Sequence, residues 1–110
     1  MATLISAVTF LAGLENLNIT GSIVRKEAKT HGMSGRLAGP TITFGTEVVV
    51  LEDVTTTGAS ALEAVQVIRS VGGQVNHVLS LLDRQEGAVD VLKERDLKLR
   101  SLYTLDDITC

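Results

Sequence analysis

Aromatic residues are nearly missing from this sequence: one tyrosine, two phenylalanines and no tryptophan among 110 residues. Any core must therefore be aliphatic, which suits a Val/Leu/Ile-rich α/β sheet better than a β-sandwich. Cysteine occurs once, as the final residue Cys110, so no internal disulfide can form and nothing points to an oxidising compartment. A cytoplasmic setting is expected from that absence. An excess of positive charge is missing too: 10 Lys and Arg against 13 Asp and Glu leave a net charge of −3. General nucleic-acid affinity, which rests on neutralising many phosphates with surplus Lys and Arg, is thereby disfavoured. No apolar run reaches the ~20 residues that span a bilayer, and no basic segment precedes the apolar-rich residues 4–14 as it would in a signal peptide. Neither a nucleic-acid partner nor a membrane is expected. There is one proline, Pro40, no internal repeat and no low-complexity tract, and the length allows one domain at most.

The most informative stretch runs from Val48 to Ser60. Val48 to Leu51 is an unbroken apolar run, mostly β-branched, of the kind buried on both faces of a parallel sheet. Such a strand points its C-terminal end at the ligand crevice. There the sequence places adjacent carboxylates, Glu52 and Asp53, which are costly to bury without a partner and so are expected to meet solvent, a metal or ligand hydroxyls. Thr55-Thr56-Thr57-Gly58-Ala59-Ser60 reads as a hydroxyl-rich turn. The helical spacing of Leu62, Val65 and Ile68 follows, with Ala61, Ala64 and Val71 nearby. Strand, turn and helix N-terminus together make a phosphate cradle, because leading N–H groups and the helix dipole favour an anion. The plainer alternative is an ordinary turn in which Thr or Ser caps the helix. The acidic pair favours the cradle reading, since a ribose phosphate offers both a diol and an anion.

On either side the pattern is α/β. Leu4, Ile5, Val8, Leu11 and Ala12 predict an amphipathic helix, and Ile19 to Val24 a strand. Lys26 to Gly45 reads as a long loop or hairpin. Gly72-Gly73 should stop the central helix, and Val75 to Leu82 should form a second apolar strand ending at Asp83. Glu86 to Arg95 has helical composition, with Val89, Leu92 and Ala88 on one face. Leu97 to Leu102 reads as an exposed or edge strand, and Thr104-Leu105-Asp106-Asp107 as a cap opening another helix. The order implies a parallel sheet with right-handed crossovers.

Leu51-Glu52-Asp53-Val54-Thr55-Thr56-Thr57-Gly58-Ala59-Ser60 resembles the phosphoribosyl pyrophosphate (PRPP) signature of the type I phosphoribosyltransferases. Two further segments narrow the resemblance to orotate phosphoribosyltransferases. Val24-Arg25-Lys26-Glu27-Ala28-Lys29-Thr30-His31-Gly32 is similar to their mobile catalytic loop, and Leu82-Asp83-Arg84-Gln85-Glu86-Gly87 to their orotate-contacting turn. The similarity begins near residue 4 and covers nearly all of the chain. Thr55 stands where many relatives carry Ile or Val. The implied fold class is α/β, a parallel-sheet type I phosphoribosyltransferase fold, N-terminally truncated. Residues 1–110 would form part of that domain, with a mobile catalytic loop at about 25–45 and the PRPP-binding strand, turn and helix at 48–71.

The resemblance also implies roles. Orotate would displace pyrophosphate from PRPP to give orotidine 5′-monophosphate. Glu52 and Asp53 would orient the ribose hydroxyls, with Asp53 counted among the catalytic groups. Val54, Thr55, Thr56, Thr57, Gly58, Ala59 and Ser60 would surround the 5′-phosphate. Arg25, Lys26, Lys29 and His31 would close over the pyrophosphate, Lys29 neutralising charge and His31 donating a hydrogen bond or proton. Arg84 and Thr56 would contact orotate. Mg²⁺ would be carried on PRPP oxygens without an assigned protein ligand. A homodimer is implied, because this loop reaches the neighbouring active site in the family. The residues alone leave plainer readings open: a solvated basic loop at 25–31 and a local Asp83–Arg84 ion pair. His77 reads as a satisfied strand histidine, and Tyr103 and Cys110 have no role. The alternative to an enzyme is a non-catalytic PRPP-binding or regulatory module.

Overall fold

The computed structural model of the protein describes residues 42–108, residue 21, and the backbone of 23–24 and 37–38. The helix expected around Leu4 to Ala12, most of the 26–45 loop and Cys110 lie outside the described residues.

Two short strands, β1 (Ile23–Val24) and β2 (Leu37–Ala38), pair antiparallel with Ile23 opposite Ala38 and Val24 opposite Leu37. The expected strand ending at Val24 thus belongs, among the described residues, to an antiparallel ribbon and not to a parallel sheet. Its pairing agrees with the hairpin alternative for the segment that follows.

The main body is a three-stranded parallel sheet in the order β3-β4-β5, formed by β3 (Glu47–Thr55), β4 (Gln74–Asp83) and β5 (Lys98–Thr104). Helix α1 (Ala59–Ser70) crosses from β3 to β4, α2 (Ala88–Lys93) crosses from β4 to β5, and α3 (Leu105–Ile108) follows β5. Successive crossovers of one hand, each stepping to the next strand, lay α1 and α2 on the same face. Their buried side chains accordingly merge with those of the sheet. Val50, Val75 and Val78 pack with Ala61, Val65 and Ile68 of α1 and with Leu92 and Leu97, an aliphatic cluster without an aromatic ring.

The other face is different. Val49 is 48% exposed and Val54 likewise 48%, and Leu79 and Leu81 are also exposed. The expected burial of the central strand on both faces is therefore not seen, because no described helix covers the second side. Nor does β3 stop at Leu51. It pairs with β4 as far as Val54 opposite Leu82 and Thr55 opposite Asp83, so the acidic pair lies within the last turns of the pleat and the connecting turn begins at Thr56.

Glycines close α1 as the sequence predicts. Gly72 N–H donates to the Arg69 carbonyl and Gly73 N–H to the Ile68 carbonyl, with Gly72 at a left-handed φ of 93°, the bond pair of a Schellman ending. Arg69 adds a bridge: its guanidinium donates to the carbonyls of Val75 at 2.9 Å and Arg95 at 3.4 Å. Helix α2 is shorter than the expected Glu86 to Arg95, because Gln85 and Gly87 before it and Asp96 after it all take positive φ. Leu92 is fully buried, but Val89 is 50% exposed and not on the core face. The β5 and α3 expectations hold: β5 ends the sheet, and Asp107 accepts from both the backbone and the hydroxyl of Thr104, the backbone bond being the half of a capping box that reaches back to the N-cap. No helix among the described residues is long and apolar enough to cross a membrane.

The phase of α2 is checkable. Leu92→Ala should lower unfolding stability by ~2–5 kcal/mol, whereas Val89→Ala should stay within about 0.5 kcal/mol. Urea unfolding followed by circular dichroism measures both, and equal losses would place Val89 in the core after all.

Candidate active site

Three chain segments meet at the C-terminal ends of β3 and β4: the strand end Glu52–Thr55, the turn Thr56–Gly58 that opens α1, and the turn Arg84–Gly87 that opens α2. Parallel pairing brings them abreast, since the two strands end opposite each other at Thr55 and Asp83. The backbone then ties the two turns together, with Arg84 N–H donating to the Thr55 carbonyl at 2.9 Å.

The turn into α1 is capped by no side chain. Its N-cap is Gly58, at φ 90° and ψ −1°, a conformation only glycine adopts without strain. A Cβ there would meet Ala88 at the start of α2 at 3.4 Å, an ordinary contact, so it is the left-handed backbone and not a lack of space that calls for glycine. The first helical bond runs from Leu62 N–H to the Gly58 carbonyl at 2.9 Å. The N–H groups of Ala59, Ser60 and Ala61 therefore precede the ladder, where a helix presents its positive end. Thr57 Oγ1 accepts from Ala59 N–H only at 3.4 Å. The plainer reading, a helix whose leading amides are satisfied by a Ser or Thr cap, is thus not the one the geometry takes. Thr56 and Thr57 are exposed at the rim.

Thr55 behaves differently from its neighbours. Its side chain is buried and its hydroxyl donates to Ser80 Oγ at 2.9 Å, while Ser80 Oγ donates to the Leu82 carbonyl at 2.9 Å. The hydroxyl expected to line the phosphate turn is instead committed beneath it, which corrects the turn's start by one residue. Ser80 was not singled out from the sequence. Its only signal there is a lone hydroxyl within the run Val78-Leu79-Ser80-Leu81-Leu82.

The acidic pair splits by environment. Asp53 is exposed, and one of its oxygens accepts from Val54 N–H at 2.9 Å, which orients the carboxylate. Glu52 is half-buried, and Ser60 Oγ donates to it at 3.5 Å across the mouth of the turn. Burial, and after it the charge of Asp53, raises the Glu52 carboxyl above its ordinary value of 4.5; the Ser60 bond only partly offsets them. Among the described residues, no group of three or more His, Cys, Asp or Glu side chains could hold a metal ion.

Arg84 projects into solvent, with Nε 3.5 Å from Glu86. Asp83 is buried and one of its carboxylate oxygens accepts from Gln85 N–H at 2.9 Å. The local pair is therefore Arg84 with Glu86 and not Arg84 with Asp83, and an exposed pair of this kind contributes little stability. His77 is half-buried in β4 between Val49 and Lys98, and Tyr103 is exposed on β5. Arg25, Lys26, Lys29 and His31 lie outside the described residues.

A raised carboxyl pKa has a defined sign in stability. The folded state holds the Glu52 proton more tightly than the unfolded chain, so this contribution is full below about pH 4.5 and is lost as pH rises through the elevated folded value. Glu52→Gln should accordingly be more stable than the parent at pH 8, with the difference closing below pH 4.5. Thermal melts across that range test this, and a variant less stable than the parent at pH 8 would contradict it.

No family model matches the chain, but relatives and solved structures do. The orotate phosphoribosyltransferase of Synechocystis sp. is 44% identical over 105 residues, which is 96% of this chain and 53% of that protein. The crystal structure of the Mycobacterium tuberculosis H37Rv orotate phosphoribosyltransferase in complex with Fe(III) dicitrate matches with a TM-score of 0.76 at 41% identity, covering 84% of this chain and 52% of that one. The crystal structure of the same enzyme in complex with PRPP matches with a TM-score of 0.70 at 38% identity, over 80% of this chain and 49% of that one. The chain thus spans about half the length of the curated relatives it matches.

Proposed function

Because the chain is homologous to the orotate phosphoribosyltransferases and carries the parallel-sheet fold of the type I phosphoribosyltransferases, we propose that it forms the PRPP-binding part of an orotate phosphoribosyltransferase site. The observation that supports this most is the pairing of an uncapped, glycine-led helix N-terminus with an acidic pair on the preceding strand, bonded across at Ser60 and Glu52. A bare phosphate would be repelled by those carboxylates. A ribose phosphate places its anion at the helix and its hydroxyls at the acids.

In this reading the amides and hydroxyls of Thr56 to Ser60, next to Val54, hold the 5′-phosphate, and Thr55 supports them from below. Glu52 and Asp53 accept from the ribose hydroxyls and keep the sugar in place as positive charge develops on it. A ring nitrogen of orotate forms the new bond to ribose C1 and gives up its proton, which leaves with the pyrophosphate or to solvent. The C1–O bond to pyrophosphate breaks with its electron pair leaving on the pyrophosphate, and orotidine 5′-monophosphate results. Arg25, Lys26, Lys29 and His31 are assigned to the departing pyrophosphate, with His31 donating to its oxygens. Loop closure by the neighbouring subunit of a homodimer excludes water. Two carboxylates without a third ligand do not make a metal cage. They suit Mg²⁺ carried on PRPP's own oxygens, where its chemistry would be to neutralise the leaving group. Arg84, with its fork of donors open to solvent, clamps orotate's carboxylate and carbonyl oxygens, assisted by Thr56.

Calorimetric titration separates the two subsites. PRPP with Mg²⁺ should bind the purified chain, and the Glu52→Gln, Asp53→Asn double variant should weaken it at least roughly tenfold, while inorganic phosphate, relieved of the carboxylates' repulsion, should bind no more weakly than to the parent. Undiminished PRPP binding by the double variant would remove the ribose assignment. Arg84→Ala should weaken orotate roughly 10- to 100-fold with PRPP unaffected. PRPP binding with no affinity for orotate would favour a PRPP-binding module, whereas weak or absent turnover alone is expected of a chain that spans about half of its relatives.

A further inference from the structure

The turn that carries Arg84 is fastened from three sides. Arg84 N–H donates to the Thr55 carbonyl on β3, and Gln85 N–H donates to the buried Asp83 carboxylate. The third bond crosses to the end of the described chain, where Asp106 N–H, in the first turn of α3, donates to Gln85 Oε1 at 3.0 Å. The first two bonds hold the backbone on either side of Arg84. The third reaches the turn from an element that is neither part of it nor of the adjoining β3-β4 pair.

Gln85 makes that bond at a cost. Its φ is 60°, in the left-handed region, where a residue with a Cβ is disfavoured by about 1 kcal/mol or more. Glycine would relieve the strain, and the chain uses glycine for the same region two residues later at Gly87. A side chain retained at a strained position, with its amide oxygen on a leading N–H of a neighbouring helix, indicates a positional task. The residue next to it is the one whose guanidinium must meet a planar, charged base in register.

We propose that Gln85 is a positioning residue for Arg84: its bond to Asp106 N–H docks the base-reading turn on α3 and so sets the direction of the Arg84 guanidinium toward orotate. The inference rests on the reading of Arg84 as the orotate clamp. Without the bond the turn keeps its two backbone anchors, so the fold and the PRPP cradle persist while the clamp loses orientation. Base binding therefore falls and PRPP binding does not.

The experiment compares calorimetric Kd values for PRPP with Mg²⁺ and for orotate added to the PRPP-loaded chain. Gln85→Met keeps side-chain length and removes the acceptor. Asp106→Pro removes the donor within the first turn of α3, where the lost N–H has no partner inside the helix, and Asp106→Ala keeps the donor as a control. Each of the first two variants should raise the orotate Kd roughly 3- to 10-fold with PRPP Kd unchanged. Together they should lose no more than either alone, because they delete one bond, and Asp106→Ala should match the parent. Orotate affinity unchanged in Gln85→Met and Asp106→Pro, or orotate and PRPP affinities falling together, would overturn the proposal. If the parent binds PRPP but no orotate, the clamp assignment itself falls and this inference with it. A parent that binds orotate while its variants match it overturns the positioning role alone.

Discussion

The site depends on the register of two parallel strands. A shift of one residue between β3 and β4 would turn every side chain of one strand to the opposite face, and the ends at Thr55 and Asp83 would no longer stand level. Level ends let Arg84 N–H reach the Thr55 carbonyl and let Gly58 lie against Ala88. The sugar-phosphate turn and the base turn become neighbours for that reason, although the register partners Thr55 and Asp83 lie 28 positions apart in the chain. Beneath them the Thr55–Ser80–Leu82 hydrogen bonds supply a buried polar floor in which every group has a partner. An unsatisfied hydroxyl at that depth would cost about 1–3 kcal/mol.

A second constraint is electrostatic. Placing two adjacent carboxylates beside the positive end of a helix brings opposite demands into one small volume: the helix attracts anions and the acids repel them. The structure separates these demands by depth. Asp53 stays in solvent with its carboxylate oriented by Val54 N–H, while Glu52 is half-buried and reaches the helix through Ser60. The raised Glu52 carboxyl is the trace of this conflict, since burial and the Asp53 charge both act against its ionised form.

Much of this was legible in the residues. Aliphatic runs, glycine pairs and the Thr104–Asp107 cap located the strands, the end of α1 and the start of α3, because those signals act within a few residues. The resemblance to orotate phosphoribosyltransferases held against relatives and solved structures alike. What escaped were features fixed by partners distant in sequence. Thr55 reads as turn until β4 is known to be long enough to pair with it. Val89 reads as core until the left-handed residues Gln85 and Gly87 set the phase of α2. The bond from Asp106 to Gln85 spans 21 positions and has no local signature at either end. The same holds for exposed Val49 and Val54, since composition does not say which face of a strand a helix will cover.

The glycine at the head of α1 carries an implication for protein engineering. A helix start with no side-chain cap is an obvious target for stabilisation, since added caps commonly contribute about 1 kcal/mol. At Gly58, however, a cap would occupy the amides that a ligand's phosphate is proposed to use, and any side chain would be strained at φ 90°. Selection for heat resistance should therefore leave this glycine alone, because the strain of a left-handed side chain outweighs what a cap would add over glycine, and stabilising changes are better sought away from the turn.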